Sequence, residues 1–179
     1  MDIGVALGDE LQARVLAAED APLIVEATSG ETARSLWAGC PAGPYSLADA
    51  QRALAQWDPA QGGQFSVGIF RAGVLAGAIG LMPDGPASVE LAYWTVPEQR
   101  GRGLASRAVS AVTEWAHEAL GVSRVWLEIN PGNEPSLRLA ERVGYRSEQR
   151  LPRHCRDWAD GDPVLDSWHD CLIWVHGDH

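Results

Sequence analysis

The sequence predicts an α/β domain of α+β layered type, a mixed central sheet flanked by helices. Three observations predict it. Apolar residues recur at spacings of three and four in some segments and alternate or run on in others, so both element types are present. Their order is strand, two helices, three strands, helix, strand, helix, two strands, which is neither strict alternation nor segregation. At 179 residues and 46% hydrophobic content, residues 1–179 fit one domain with its own core, and no internal repeat divides them.

Residues 11–17 read as the first strand. Asp20 caps a helix over 21–27, with Pro22 in its first turn. Residues 28–44 are ambiguous, and a short helix at 32–38 fits best. Ser46 opens a clearer helix, since Asp49 suits its N-terminus and Leu47, Ala50, Leu54 and Trp57 follow helical spacing. Residues 64–71 and 74–82 make a hairpin across Ala72-Gly73, and the Pro- and Gly-rich stretch 82–87 reads as a loop. The strand at 88–96 stops at Pro97. The longest helical pattern, 102–120, carries Leu104, Ala108, Val112, Trp115 and Ala119, and Gly121 ends it. A buried strand follows at 124–130. Asn133 or Glu134 then opens a helix to Arg142, which Gly144 terminates. Residues 145–151 read as a strand, 152–163 as a polar loop and 167–175 as the last strand.

Composition excludes several functions. All 14 basic side chains are Arg, so no Schiff-base lysine and no lysine-containing phosphate loop exists here. No apolar run reaches the roughly 20 residues of a membrane span, and the N-terminus lacks a signal-peptide pattern. A cytoplasmic protein without a membrane partner is expected. Three widely spaced cysteines then suggest reduced thiols rather than a disulfide framework. The net charge of −10 argues against nucleic acid. It divides into −7 over residues 1–97, +3 over 98–156 and −6 over 157–179. The Arg-rich window suits a small polyanion. The acidic remainder either attracts a cationic second ligand or simply keeps the chain soluble.

The chemistry concentrates in Val96-Pro-Glu-Gln-Arg-Gly-Arg-Gly-Leu-Ala-Ser106, between a strand and a helix. Gly101 and Gly103 permit unusual backbone shapes and close ligand approach. The helix start supplies free N–H groups and a positive dipole end, and Arg100 and Arg102 add fixed charge. This combination makes a pyrophosphate cradle. A dinucleotide fold fits poorly: the third glycine is Ser106, four residues separate strand from loop, and only 51 residues follow the candidate ribose acid Glu128. Coenzyme A fits better. Arg100-x-x-Gly103-x-Ala105 resembles the acyl-CoA loop of the Gcn5-related N-acetyltransferase (GNAT) family. Asn130-Pro-Gly-Asn133-Glu-Pro-Ser136, the later Gly144-Tyr145 and the Tyr93-Trp94 pair are similar to its Rim-type branch, which acetylates ribosomal-protein N-termini. The resemblance covers roughly residues 65–150.

The resemblance implies a mostly antiparallel GNAT-like sheet and direct attack of an amine on acetyl-CoA. The amine would belong to a protein N-terminus or a small molecule. Gly101, Arg102, Gly103, Leu104 and Ala105 would hold the pyrophosphate with Arg100, and Asn133 would lie beside the pantetheine arm. Thr95 and Val96 would pair with the pantetheine amides, a backbone N–H near Val96 polarising the thioester. Glu90 is the candidate base, a carboxylate among apolar neighbours that shares a strand face with Ala92 and Trp94. The family's usual tyrosine acid is replaced by Ala140, and Ser136 is the candidate donor to the thiolate. Trp37, Tyr45, Trp57 and Trp94 are candidates for the acceptor wall, facing Arg153, His154 and the acidic loop 157–166. His154-Cys155 with His169-x-Cys171 matches no usual zinc spacing, so no metal is expected. Alternatives from other classes are a non-catalytic acyl-CoA-binding module and a transferase using a longer donor such as succinyl-CoA. Oligomeric state is open, a homodimer included.

Overall fold

In the computed structural model, a single twisted sheet is the organising element; residues 3, 5, 7, 8, 11–30, 44–57, 63–157 and 166–177 are described. Its strands are β1 (Leu11–Val15), β2 (Phe65–Arg71), β3 (Val74–Gly85), β4 (Ser88–Thr95), β5 (Arg124–Ile129), β6 (Arg146–Asp157) and β7 (Ser167–Gly177). They lie in the order β1-β2-β3-β4-β5-β7-β6. Among the described residues, β4–β5 is parallel and every other pairing is antiparallel. The helices are α1 (Ala21–Thr28), α2 (Leu47–Gln56), α3 (Leu104–Ala119) and α4 (Glu134–Arg142). The mixed, mostly antiparallel sheet with flanking helices is the fold that the sequence and its resemblance implied.

Alternating side chains sort the core into two layers. On one face Val67, Ile79, Leu81, Val89, Leu91, Val125 and Leu127 pack against Leu104, Ala108, Val109 and Val112 of α3 and Leu139 of α4. On the other, Phe70, Leu75 and Ala78 meet Ile24 of α1 and Ala50, Ala53 and Leu54 of α2. α3 is the crossover that a parallel β4–β5 pair requires.

Local chemistry explains the element ends. The Ser46 hydroxyl accepts from Asp49 N–H, and Asp49 reaches back to Ser46 N–H, a reciprocal cap for α2. Ala72 and Gly73 both have positive φ, 50° and 79°, as the tightest hairpins require. Leu47, grouped with the apolar side of α2, is exposed.

Several boundaries differ from expectation. Asp20 precedes α1, but its side chain makes no cap there. It is 5% exposed and binds Arg14 through both oxygens, at 2.7 Å each, and accepts the Ala17 N–H at 2.9 Å. α3 starts at Leu104 because Gly103 is left-handed. β3 continues through Pro83 to Gly85, beyond the last residue that β2 pairs, with a register shift at Pro83. The stretch 152–157, expected as loop, belongs to β6. Among the described residues β6 is an edge strand, where proline is tolerated because one row of N–H groups has no partner strand. The β6–β7 hairpin also corrects the thiol expectation. It brings Cys155 and Cys171 to a Cα separation of 5.9 Å and joins them as a disulfide. The expected helix at 32–38, and Trp37 with it, lies outside the described residues.

Candidate active site

The site begins where the parallel pairing ends. β4 and β5 pair from Ser88 with Arg124 to Leu91 with Leu127. Beyond Leu91, β4 continues to Thr95 against β3, and the β5 side of the strand has no partner strand among the described residues. The resulting gap opens into a groove of about 990 Å³. Its walls are Tyr93, Trp94 and Thr95 of β4, the 99–101 loop, Gly103–Ser106 at the start of α3, and Asn133, Ser136, Arg138 and Arg142 of α4.

Gly101 and Gly103 sit at φ +73° and +72°. A Cβ at either position would meet no atom within 4 Å. Glycine is therefore needed here for the backbone bend and for keeping the groove floor open, not for protein packing. Gly103 C=O accepts the Arg107 N–H at 3.1 Å, so the N–H groups of Leu104, Ala105 and Ser106 form the unpaired first turn of α3. They face the groove with the positive end of a 16-residue helix. Arg100 Nε donates to Thr95 O at 3.0 Å and ties this loop to β4. Arg102 is exposed and is not a groove wall. Arg138 and Arg142, one turn apart on α4, are groove walls that the sequence reading did not single out.

The backbone donor expected near Val96 is not the Val96 N–H itself. Val96 N–H donates to Ala76 O at 3.0 Å, across to β3. Successive residues of a strand turn their N–H groups to opposite sides, so Thr95 N–H points into the gap. Among the described residues, Thr95 rather than Val96 is the residue whose backbone faces the gap without a partner strand.

Asn133 N-caps α4, its Oδ1 accepting the Ser136 N–H at 3.3 Å, and its own N–H donates to Asn130 O at 2.8 Å. Asn130 Oδ1 holds Gly132 N–H at 2.7 Å. The chain's two asparagines thus fold the turn that aims Ser136 at the groove. Facing Ser136 is a residue the sequence reading assigned no role, Tyr93. Its hydroxyl is buried and makes no hydrogen bond of good geometry. Burial pushes the phenol above its ordinary value, and Ser136 beside it partly offsets this. Tyr145, at the foot of the same wall, bonds Thr113 at 2.6 Å and is core.

Glu90 lies on the opposite face of β4, between Met82 of β3 and Trp126 of β5. Burial, then the negative charges of Glu128 and Asp84, push its carboxyl up to about 7. Asp84 is held by Trp126 Nε1 at 3.1 Å. Trp94 shares the Glu90 face four residues on, about 13 Å along a strand. It lines the groove and packs against the α1–α2 layer. Tyr45 and Trp57 are 5% and 1% exposed inside that layer, so neither is a groove wall. Arg153 and His154 are exposed on β6, away from the groove walls.

A strand edge opened by a splay, a glycine-bent loop at a helix N-terminus and an Asn-capped second helix together bound this one groove. The acetyltransferase (GNAT) domain profile matches residues 10–146, and the chain belongs to that family. Two relatives come from Bacillus subtilis (strain 168). The uncharacterized N-acetyltransferase YoaA is 34% identical over 65 residues, 36% of this chain and 37% of YoaA. YdaF, named provisionally as a ribosomal N-acetyltransferase, is 28% identical over 109 residues, 60% of this chain and 56% of YdaF. The chain thus spans about a third to just over half the length of these relatives. Among solved structures, the acetyltransferase of Salmonella typhimurium that modifies the N-terminal serine of ribosomal protein L7/L12 superposes with a TM-score of 0.82. Identity is 14%, with 98% of this chain and 99% of that one covered. A RimL L7/L12 acetyltransferase in complex with coenzyme A gives 0.79 at 15% identity, with 97% of both chains covered.

Proposed function

We propose that the chain transfers an acetyl group from acetyl-CoA to a primary amine, either a protein N-terminal α-amine or a small-molecule amine, by direct attack. The observation that carries this reading is the splay. The unpartnered edge of β4 meets the α3 N-terminus on one side and Ser136 on the other, with a raised-pKa carboxylate behind.

In this reading the N–H groups of residues 103–106 hold the donor's pyrophosphate, and Arg100, Arg138 and Arg142 supply counter-charge. Thr95 pairs with the pantetheine arm as an added strand would. Glu90, reaching the acceptor through water, takes the ammonium proton. An α-amine with a pKa of about 8 needs only a modest base, whereas an alkyl amine at about 10.4 needs more. The amine nitrogen attacks the thioester carbon, the C–S bond breaks, and the sulfur leaves with the electron pair. Ser136 and Tyr93 donate hydrogen bonds to that thiolate, and the second proton, lost by the nitrogen as the amide forms, passes by way of water to the sulfur. Tyr93 thereby offers a hydroxyl that position 140 lacks.

Release of free CoA thiol, measured over peptides with free N-termini and a panel of small amines, tests the reading with acetyl-CoA and succinyl-CoA as donors. Release with acetyl-CoA supports it, and a preference for succinyl-CoA would change the donor. CoA binding without release for any acceptor would instead make the chain a binding module. Absence of CoA binding would overturn both readings.

A further inference from the structure

The sheet face that carries Glu90 runs on across β5 to β7 and β6, where three ligand-type side chains gather and a fourth, Glu128, touches one of them. The Sγ atoms of Cys155 and Cys171 and a ring nitrogen of His169 all lie within 4.8 Å of one another. Cys155 Sγ also contacts Glu128 Oε1 on β5. Cys171 is fully buried, and the other three are half-buried, so the cluster is closed beneath and open at the surface.

Regular pairing would not produce this cluster. Leu151 lies opposite Cys171 and Cys155 opposite His169, so β6 takes four residue steps where β7 takes two. The two extra residues form a bulge, with Arg153 in the left-handed region at φ +49°. Asp170 holds the bulge in place: its Oδ1 accepts the Arg153 N–H at 3.0 Å, and its Oδ2 accepts Arg150 Nε at 2.7 Å. Without the bulge Arg153 would face His169. With it, a cysteine does.

Two sulfurs, an imidazole and a carboxylate are the donor set of a tetrahedral site for a cation of the zinc class. We propose that the dithiol form of this protein binds one such cation through Cys155, Cys171, His169 and Glu128, tying β5, β7 and β6 together. In the structure the two sulfurs are joined, so binding requires the bond to open. An external dithiol supplies two electrons and two protons and closes its own disulfide, while the Sγ–Sγ bond breaks to give two thiols. The cation then displaces both thiol protons to water. Two thiolates and a carboxylate already outweigh its charge, so His169 coordinates as neutral imidazole. None of the four residues is a wall of the donor groove, so the proposal stands apart from the acyl-transfer reading.

The test uses the full chain with Cys40→Ser, which leaves Cys155 and Cys171 as its sole thiols. The protein is reduced with a dithiol, desalted without air and titrated with cobalt(II), then with zinc(II). The expected result is one cobalt per chain with a thiolate-to-metal charge-transfer band that zinc abolishes. The oxidised protein should show no band. Cys155→Ser and His169→Ala, checked for folding by circular dichroism, should each lose or strongly weaken it. Cys155 is half-buried, so its variant preserves the test if one at buried Cys171 fails to fold. Failure of the reduced protein to bind either metal, persistence of the band in Cys155→Ser, or a disulfide that excess dithiol does not open would each overturn the proposal.

Discussion

Glu90 is where burial and charge leave the clearest chemical signature. Its carboxyl is raised to about 7, so it is a competent base only above that pH. In this account kcat rises through about pH 7, and Glu90→Gln lowers it and flattens the rise, which a pH–rate profile checks. The same shift has a stability consequence. A raised carboxyl binds more protons folded than unfolded between its ordinary 4.5 and about 7. Its stabilising contribution is complete below that window and lost as pH rises through it. Glu90→Gln should therefore gain stability relative to the wild type at pH 8 compared with pH 5, as denaturant titrations at the two values would show. At the opposite wall, Ser136→Ala and Tyr93→Phe should each slow thiol release on the order of tenfold with little change in CoA affinity. Equal loss of affinity would assign both hydroxyls to binding alone. The face of Glu90 was legible from strand alternation. The place of Tyr93 was not, because its hydroxyl meets Ser136 only once the β4–β5 splay brings α4 across. Nor was the direction of the Val96 N–H, which depends on the register with β3.

At the scale of elements, the close approach of β3 to β4 sets the groove's outer strand. A Cβ on Gly77 would lie 2.4 Å from Trp94 O, a backbone atom with no freedom to yield. Gly77→Ala should cost about 1–3 kcal/mol of stability and distort the adjoining 94–95 edge, measurable by urea unfolding and CoA binding. The α3–β7 seam carries a histidine pair. His117 Nδ1 bonds Val122 O at 2.7 Å, and its Nε2 meets His176 Nδ1 at 3.0 Å. Burial, then the neighbouring His117, hold His176 below its ordinary 6.5. The unfolded chain then binds the extra proton, so stability present above about pH 6.5 falls as the solution is acidified through and below that value. His176→Gln should lessen the loss between pH 7.5 and 5.5, seen as a smaller drop in the denaturation midpoint. Helices α2, α3 and α4 were legible because capping residues and apolar spacing agree at each. The extensions of β3 and β6 were not. Pro83 and Pro152 read as turn signals, yet among the described residues each sits where the strand has no partner on one side, and there a missing N–H costs little.

At the scale of the whole molecule, the arrangement divides labour across the sheet. One layer, built on α3 and α4, supplies the helix N-terminus, the arginines and the capped turn that form the donor groove. The other, built on α1 and α2, backs Trp94. The element order announced the mixed sheet, but only the topology shows that the parallel β4–β5 junction is also where it opens. Under the proposed function, an arginine-only chain would bind phosphate through loop amides, a dipole and guanidinium groups, and Arg100, Arg138 and Arg142 all line the groove. In the proposed reaction the 100–106 loop and the α3 start hold the acyl donor. Calorimetric titration of acetyl-CoA into wild type and Gly103→Glu tests it most directly. Glutamate at φ +72° strains the turn and sets a carboxylate where the pyrophosphate would lie. The account predicts that the wild type binds one equivalent and that the folded variant weakens by at least about 100-fold, roughly 2.7 kcal/mol. An unchanged affinity in the variant would contradict it.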